Sequence, residues 1–343
     1  MTSTGTPRHA IAREIRLASR PSGEPTAGNF QLTETEIPDL ADGQILVRNT
    51  WMSVDPYMRG RMNDVPSPVM PPFALGEPLD GSAVGEVVAS RSADVPVGAE
   101  VAHFLGWRDY AVVDAAEAAV IDTSVAPASA HLGPLGPTGL TAYVAVKEAA
   151  RVGDGDVVYV SAAAGAVGSV AGQLARRFGA ARVIGSAGGP EKGALLLRRF
   201  GFDAALDHRA GPIAAQLAAA APDGIDVYID NVGGDHLEAA IGAMRAGARA
   251  ALVGAISEYN ATGPVPGPAN LFRIVERRLT LRGVQVSAHE HLLPEYARQA
   301  AGWVADGSLR YEETVVDGLD RAPDALIGVL RGANTGKMLV RLP

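Results

Sequence analysis

The chain has no cysteine among its 343 residues. That absence excludes disulfides, thiolate metal sites and cysteine nucleophiles at once. It fits a cytoplasmic protein. No stretch of about 18 consecutive strongly apolar residues occurs, so no membrane span is expected. Ala-rich runs such as 213–221 are too short and too weakly apolar to serve as one. No long block of Lys or Arg is present and the formal net charge is −8, which argues against a general nucleic-acid partner. The opening stretch MTSTGTPRHAIAREIRLASRPSG lacks the apolar centre of a signal peptide. Internal repeats and low-complexity linkers are also missing.

What is plentiful is apolar and small. Hydrophobic residues make up 47% and glycines number 40, which points to a packed globule with tight turns. The length allows one large or two medium domains. Up to about residue 130 the texture is β-rich. Runs such as QILVR at 44–48, AVGEVV at 83–88 and EVAHF at 100–104 are separated by Gly and Pro. That is the spacing of a small barrel-like domain.

From about residue 135, strand-like runs alternate with Ala-rich helical ones. VVYV at 157–160 precedes a helical stretch at 169–178, RVI at 182–184 precedes 192–200, and IDVYI at 225–229 precedes 236–244. Such alternation is the mark of βαβ units and a parallel sheet. Runs at 309–316 and 337–342 look like strands that rejoin the first texture.

The run VVYVSAAAGAVG at 157–168 carries the sharpest motif. Gly165 and Gly168 fit the last two glycines of G-x-G-x-x-G, with Ala163 in the first position. A glycine pair alone also fits an ordinary tight turn. Here a strand leads in and a helix leads out, with Val167, Val170, Ala171, Leu174 and Phe178 on one face. Gly165 lets backbone approach a pyrophosphate, Gly168 lets helix and strand pack closely, and the helix start offers N–H groups to the anion. Gly172 is expected to bring the helix close to the sheet, and Gly179 to end it.

A further absence decides which dinucleotide. NAD binders place Asp or Glu at the end of the second strand, where it bonds the ribose 2′-hydroxyl. Here that strand runs into Ser186-Ala187-Gly188-Gly189-Pro190, and Lys192 follows Glu191. A cation attracts a 2′-phosphate that a carboxylate would repel. Lys192, with Ser186 as a small donor and with His208 and Arg209 after the next strand, favours NADP. The alternative for Lys192 is a solvated helix-start lysine.

AAAGAVGSVAGQLAR, DVYIDNVGG, LVGAISEYN, GANTGKMLV and VDPYMRG together resemble the zinc-independent medium-chain dehydrogenase/reductases. The branch is that of the prostaglandin reductases and alkenal double-bond reductases. The resemblance implies an α/β chain: a doubly wound Rossmann sheet at 135–310, plus a GroES-like β-barrel domain from residues 1–134 and 311–343. It implies NADP contacts from Gly165, Ala166, Val167, Gly168, Lys192, Asn231, Val253, Gly254, Ala255, Ile256, Ser257, Tyr259, Val284, Gln285, Val286 and Asn334. His208 stands where the family commonly has a tyrosine near the 2′-phosphate. LGPTGLTAY at 135–143 also departs from the family's usual order of proline and glycine. Family members are commonly dimers joined through Rossmann sheet edges, and 278–286 is the expected edge strand.

No metal is expected. Gly76 is followed by Glu77 where zinc-containing cousins have histidine. His289-Glu290-His291 cannot chelate from one helix face and reads as a polar loop. The expected reaction is 1,4-reduction of an α,β-unsaturated aldehyde or ketone. Hydride from NADPH reaches the β-carbon and an enolate forms. Tyr259 or the coenzyme ribose 2′-hydroxyl donates to the oxygen, a proton from Tyr259, that hydroxyl or solvent reaches the α-carbon, and Tyr57 orients the substrate. Residues 62–72 and 258–268 are expected to shape the pocket as lids. A quinone reductase and a non-catalytic NADPH-binding protein are the alternatives.

Overall fold

The computed structural model describes residues 11–343. Part of the stretch read for a signal peptide therefore lies outside the described residues. In chain order the strands are β1 (Ile11–Leu17), β2 (Phe30–Glu36), β3 (Gln44–Ser53), β4 (Ala83–Ser90), β5 (Glu100–His103), β6 (Tyr110–Asp114), β7 (Ala119–Val120), β8 (Val157–Val160), β9 (Arg182–Ala187), β10 (Ala204–Asp207), β11 (Ile225–Asp230), β12 (Met244–Leu252), β13 (Thr280–Gly283), β14 (Glu313–Asp317) and β15 (Lys337–Arg341). The helices are α1 (Tyr57–Arg61), α2 (Pro137–Tyr143), α3 (Ala166–Arg177), α4 (Pro190–Arg198), α5 (Ile213–Ala220), α6 (Gly234–Ala243), α7 (Phe272–Arg277), α8 (Leu293–Ala305) and α9 (Ala322–Leu330). Among the described residues, no helix is long and apolar enough to cross a membrane.

The chain divides into two compact units. One holds residues 11–132 together with Glu313–Ala333 and Lys337–Pro343. Its main sheet runs β14-β15-β3-β4-β5-β7, with β6 also on β3. Strand β3 is the hub because it is long and mostly buried, and register shifts at Leu46/Val47 and Asn49/Trp51 bend it. Such bulges increase local twist and let one strand serve several neighbours. Ile15, Leu17, Met52, Met58, Trp107, Leu326 and Val340 fill the larger core beneath it.

The other unit holds Gly133–Glu312 and, separated in sequence, Asn334–Gly336. Its six-stranded sheet has the order β10-β9-β8-β11-β12-β13, with every neighbouring pair parallel. Counted from β8 this is the doubly wound order 3-2-1-4-5-6, whose direction of winding reverses between β8 and β11. The central strand β8 is a continuous apolar run, VVYV, with Val158, Tyr159 and Val160 fully buried. Tyr159, Ile184, Leu217, Ile225, Tyr228 and Ile241 are among the residues in the core.

Two expected strands are shorter than read. The run at 309–316 begins only at Glu313, because Leu309 N–H closes the end of α8 on Trp303 O at 2.7 Å. The run at 278–286 keeps only Thr280–Gly283, because Arg278, with φ of 52°, is the left-handed residue ending α7. His289 and His291 lie in a 3₁₀ turn rather than an open loop. Gly172 also has another reason than the sheet: an ideal Cβ there would lie 2.1 Å from the Phe202 ring. Gly179, with φ of 105°, ends α3 as expected.

Candidate functional site

The glycine-rich turn follows β8 at the point where the sheet reverses. Ala162 takes φ of 45°, and its carbonyl accepts Gly165 N–H at 2.9 Å, so the chain doubles back before α3. An ideal Cβ on Gly168 would lie 2.4 Å from Ala162 O and 2.7 Å from Ala163 Cα. Only glycine fits where helix and turn touch. Gly165 is the extended N-cap of α3, and no side chain caps that end. The first-turn N–H groups of Ala166, Val167 and Gly168 have no intrahelical carbonyl to reach, which is the arrangement that receives phosphate.

Alongside lies the separated segment 334–336. Gly336 N–H donates to Ala164 O at 2.7 Å. Gly336 has φ of 64°, and a Cβ there would sit 1.8 Å from Glu312 O. Asn334 Nδ2 donates to Gly336 O at 2.7 Å, fixing the amide within its own turn.

At the ends of β9 and β10 the structure gathers cations. Lys192 is half-buried and donates from Nζ to Asn334 O at 2.6 Å. Burial and then the nearby Arg209 charge lower the Lys192 pKa. An ideal Cβ on Gly188 would lie 2.8 Å from Arg209 Nε and 3.0 Å from His208 Cε1, so both side chains flank this loop. Asp207 is the carboxylate at the end of β10. Its Oδ1 accepts Gly189 N–H and Arg209 N–H, each at 2.9 Å, and so shapes the turn.

Ser186 departs from the expectation. It is 0% exposed, and its hydroxyl receives Tyr159 OH at 2.9 Å within the core. The strand's alternation turns it inward, so it is not a donor to a phosphate outside the sheet.

Across the reversal point, β11 ends in Asp230, which is 2% exposed. Its Oδ1 accepts Tyr228 OH at 2.7 Å and the N–H groups of Val232 and Gly233 at 2.9 Å. Asn231 donates N–H to Ser161 Oγ at 2.9 Å and Nδ2–H to Ser161 O at 2.8 Å, tying this loop to the glycine-rich turn. The loop after β12 is stitched to the same place. Val253 N–H and Gly254 N–H reach Asp230 O at 2.8 and 3.1 Å, and Ile256 N–H reaches Asn231 O at 3.4 Å. Ser257 Oγ donates to Val232 O at 2.6 Å.

Tyr259 closes that loop back on itself. Its hydroxyl oxygen accepts Ala255 N–H at 3.2 Å, which leaves the O–H proton to be donated elsewhere. Burial raises its pKa, so it is a neutral phenol at physiological pH. Val284 N–H donates to Leu252 O at 2.9 Å, and Gln285 and Val286 follow it off the end of β13. Apart from Asn334, and with Ser186 set aside, the expected coenzyme residues of this unit thus sit at carboxyl ends of parallel strands.

Tyr57 belongs to the first unit, at the start of α1, packed on the core beside Met58. Burial, and then Asp55, push its pKa well up. Sequence reasoning gave no role to the ion pair that holds this corner. Lys337 Nζ, 3% exposed, meets Asp55 Oδ1 at 2.7 Å and Val54 O at 3.2 Å. Arg59 is 1% exposed and binds carbonyls: Gly23 O at 2.7 Å and Asn63 Oδ1 at 2.7 Å. Arg61 forms a bidentate pair with Asp80 and donates to Pro71 O at 2.9 Å. Arg20 holds Met62 O and Asn63 O at 3.1 Å. Both ends of the 62–72 loop are therefore pinned, while Val65 and Val69 between them stay exposed at 64% and 52%.

His236, on α6, was not singled out in the sequence. Its ring meets His208 edge to face at 5.7 Å. Among the described residues, no group of three or more His, Asp or Glu side chains is gathered as for a metal ion.

Two family profiles match the chain: an "N-terminal domain of oxidoreductase" over residues 13–121 and a "Zinc-binding dehydrogenase" over 166–305. The chain is 41% identical to the putative NADP-dependent oxidoreductase YfmJ of Bacillus subtilis, across 97% of this chain and 98% of that protein. It is 38% identical to the NADPH-dependent curcumin reductase of Escherichia coli, across 95% of both. The crystal structure of CurA from Vibrio vulnificus in complex with NADPH superposes with a TM-score of 0.91 at 41% identity, across 96% of this chain and 99% of that one. The chain belongs to the zinc-independent medium-chain dehydrogenase/reductases. Within them it falls in the branch of the prostaglandin and alkenal reductases. Quinone oxidoreductases of Pseudomonas syringae and Escherichia coli, at 22% and 21% identity, share its fold with TM-scores of 0.76 and 0.77.

Proposed function

We propose that this reductase uses NADPH to reduce the carbon–carbon double bond of α,β-unsaturated aldehydes and ketones. The observation that carries the coenzyme assignment is the rim of the parallel sheet. A turn that admits only glycine at position 168 opens α3 at the reversal point, and Lys192, His208 and Arg209 line the neighbouring strand ends. That cradle fits a pyrophosphate and a 2′-phosphate.

Bound there, NADPH supplies the hydride. The chain's own part begins with Gly165, Ala166, Val167 and Gly168, whose backbone holds the pyrophosphate. Lys192 and Arg209 neutralise the 2′-phosphate. The loops at 231–234 and 253–259, with Asn334 of the separated segment, would hold the remainder of the coenzyme. Tyr259 keeps its proton and donates a hydrogen bond to the substrate oxygen as negative charge builds there. Its Ala255 N–H contact orients the hydroxyl and makes it a better donor. Tyr57, on a helix whose approach is held by Lys337 and Asp55, is assigned to orienting the substrate.

Tyr259→Phe is the test. Turnover of an enone panel with NADPH should drop by roughly 10²-fold in kcat while the NADPH KM stays within a few-fold. Unchanged turnover removes Tyr259 from the chemistry. Quinone turnover without enal or enone turnover would favour the quinone reductase instead.

We also infer a homodimer through β13. That strand is the sheet edge, paired on one side by β12, and its other backbone edge is a template for a second copy. Phe272 and Val275 on the preceding α7 are 70% and 68% exposed. A monomer by light scattering at micromolar concentration would refute this.

A further inference from the structure

We propose that His208 is a proton-linked determinant of coenzyme choice: it takes up a proton when the 2′-phosphate binds beside it, with the His236 ring holding it in place. The inference rests on the reading above that the adenosine end lies at this rim.

His208 follows Asp207 at the end of β10, and its Cε1 lies 3.0 Å from where a Gly188 Cβ would be. The ring therefore stands over the bare loop that leads to Lys192. From α6, His236 meets it at 5.7 Å with the planes 69° apart. His236 is 9% exposed, and its buried Nε2 has no hydrogen-bond partner. A buried imidazole nitrogen without a partner is costly. Burial and the edge-to-face contact hold the His236 ring against His208.

The groups facing His208 come from three elements. Asp207 and Arg209 flank it on its own segment, Lys192 faces it from α4, and His236 from α6. Burial first, then Arg209, lowers the His208 pKa; Asp207 and the Ala187 carbonyl oppose this, and Lys192 adds to the lowering. His236 faces His208, Asp230 and Asp235, and burial above all lowers it to about 4. At pH 7 without coenzyme both rings are thus neutral.

A phosphate dianion placed among Lys192, Arg209 and His208 reverses the balance for His208. An opposite charge at this range favours the protonated ring by one or more pKa units. His236, already deep, stays neutral and acts as the positioning residue. The sign follows directly. A group whose pKa is higher in the complex takes up protons on binding, so binding strengthens as pH falls through the complex's pKa. A coenzyme without the phosphate gains nothing.

The phosphate's own second ionisation, near pH 6, responds in the opposite direction, because neighbouring cations favour its release of a proton. The test must therefore subtract a variant that keeps the phosphate and loses the imidazole. Calorimetric titration of the full-length protein with NADPH and with NADH, at pH 7 in two buffers of different ionisation heat, counts the protons. Wild type should take up more protons on NADPH than His208→Tyr or His208→Gln does, with no such difference on NADH. The NADH-to-NADPH Kd ratio should rise about three- to tenfold from pH 8.5 to 6.5 in wild type, and less in both variants. His236→Ala should reduce the proton count while the preference for NADPH persists. Equal proton counts in wild type and both His208 variants, with NADPH still preferred, would overturn the inference alone. Equal affinity of wild type for the two coenzymes would overturn the assignment of the rim and the inference with it.

Discussion

Replacing Lys192 with methionine separates the Asn334 contact that the structure shows from the 2′-phosphate contact proposed for the same ammonium group. The side chain keeps its unbranched shape, one atom shorter, and loses its charge. Half-buried, it donates to Asn334 O at 2.6 Å and feels the positive field of Arg209. A hydrogen bond to a charged group contributes about 1.5–3 kcal/mol. Partial exposure and the remaining Arg209 place Lys192 at the lower end, about 1.5–2 kcal/mol. At 1.4 kcal/mol per decade, the NADPH Kd should weaken by roughly 10- to 30-fold. NADH has no 2′-phosphate, so it loses only what the Asn334 contact contributes and should change by less than about threefold. Kd by fluorescence titration and KM by steady-state kinetics, for both coenzymes, provide the comparison. Lys192→Arg should recover most of the NADPH affinity. An equal loss for both coenzymes would show that Lys192 serves the 334–336 segment instead of the phosphate. An unchanged NADPH affinity would remove it from the site.

Gly168→Ala places a methyl where Ala162 O would be 2.4 Å away, so turn and helix must part; about 1–3 kcal/mol is lost, read as a lowered Tm and a tenfold or greater rise in NADPH Kd. Gly165→Ala, whose Cβ meets only Ala162 O at 3.2 Å, should keep its Tm. Lys337→Met leaves Asp55 without its cation in a buried corner and should cost about 3–5 kcal/mol in urea unfolding, part of it recovered by adding Asp55→Asn. His103 is 7% exposed and held neutral, with its pKa lowered to about 4 by burial and by Arg108. The unfolded chain binds this proton near pH 6.5, so stability is full above that value and falls as pH drops toward 4. The loss there is about 3 kcal/mol, and urea midpoints against pH should show it shrink in His103→Gln.

The parallel sheet was legible because its signal is local: four β-formers, a bare turn and an amphipathic helix, repeated. VVYV is β8 to the residue. The barrel half was legible only as texture, since the pairing of β3 with β4, β6 and β15 depends on bulges that no composition reveals. Ser186 was misread because a serine at a strand's end has two faces to choose from. Tyr159, 27 residues earlier, supplies the inward partner. His236 left no signal in sequence, since its significance arises from a ring that meets it across two strands of the sheet. Lys337 and Asp55 sit in motifs that did stand out, GANTGKMLV and VDPYMRG, but their pairing spans 282 positions. Long-range pairing of that kind is a property of topology.

Three residues borrowed from near the far end of the polypeptide complete the unit that carries the parallel sheet. Gly336 supplies the N–H that Ala164 O requires, and Asn334 supplies the acceptor for Lys192. Someone excising 133–312 as a freestanding binding module would obtain an uncut stretch of gene and an unfinished cradle, lacking the N–H that Ala164 O accepts and the carbonyl to which Lys192 donates. A graft or circular permutation meant to transplant this module must carry both pieces.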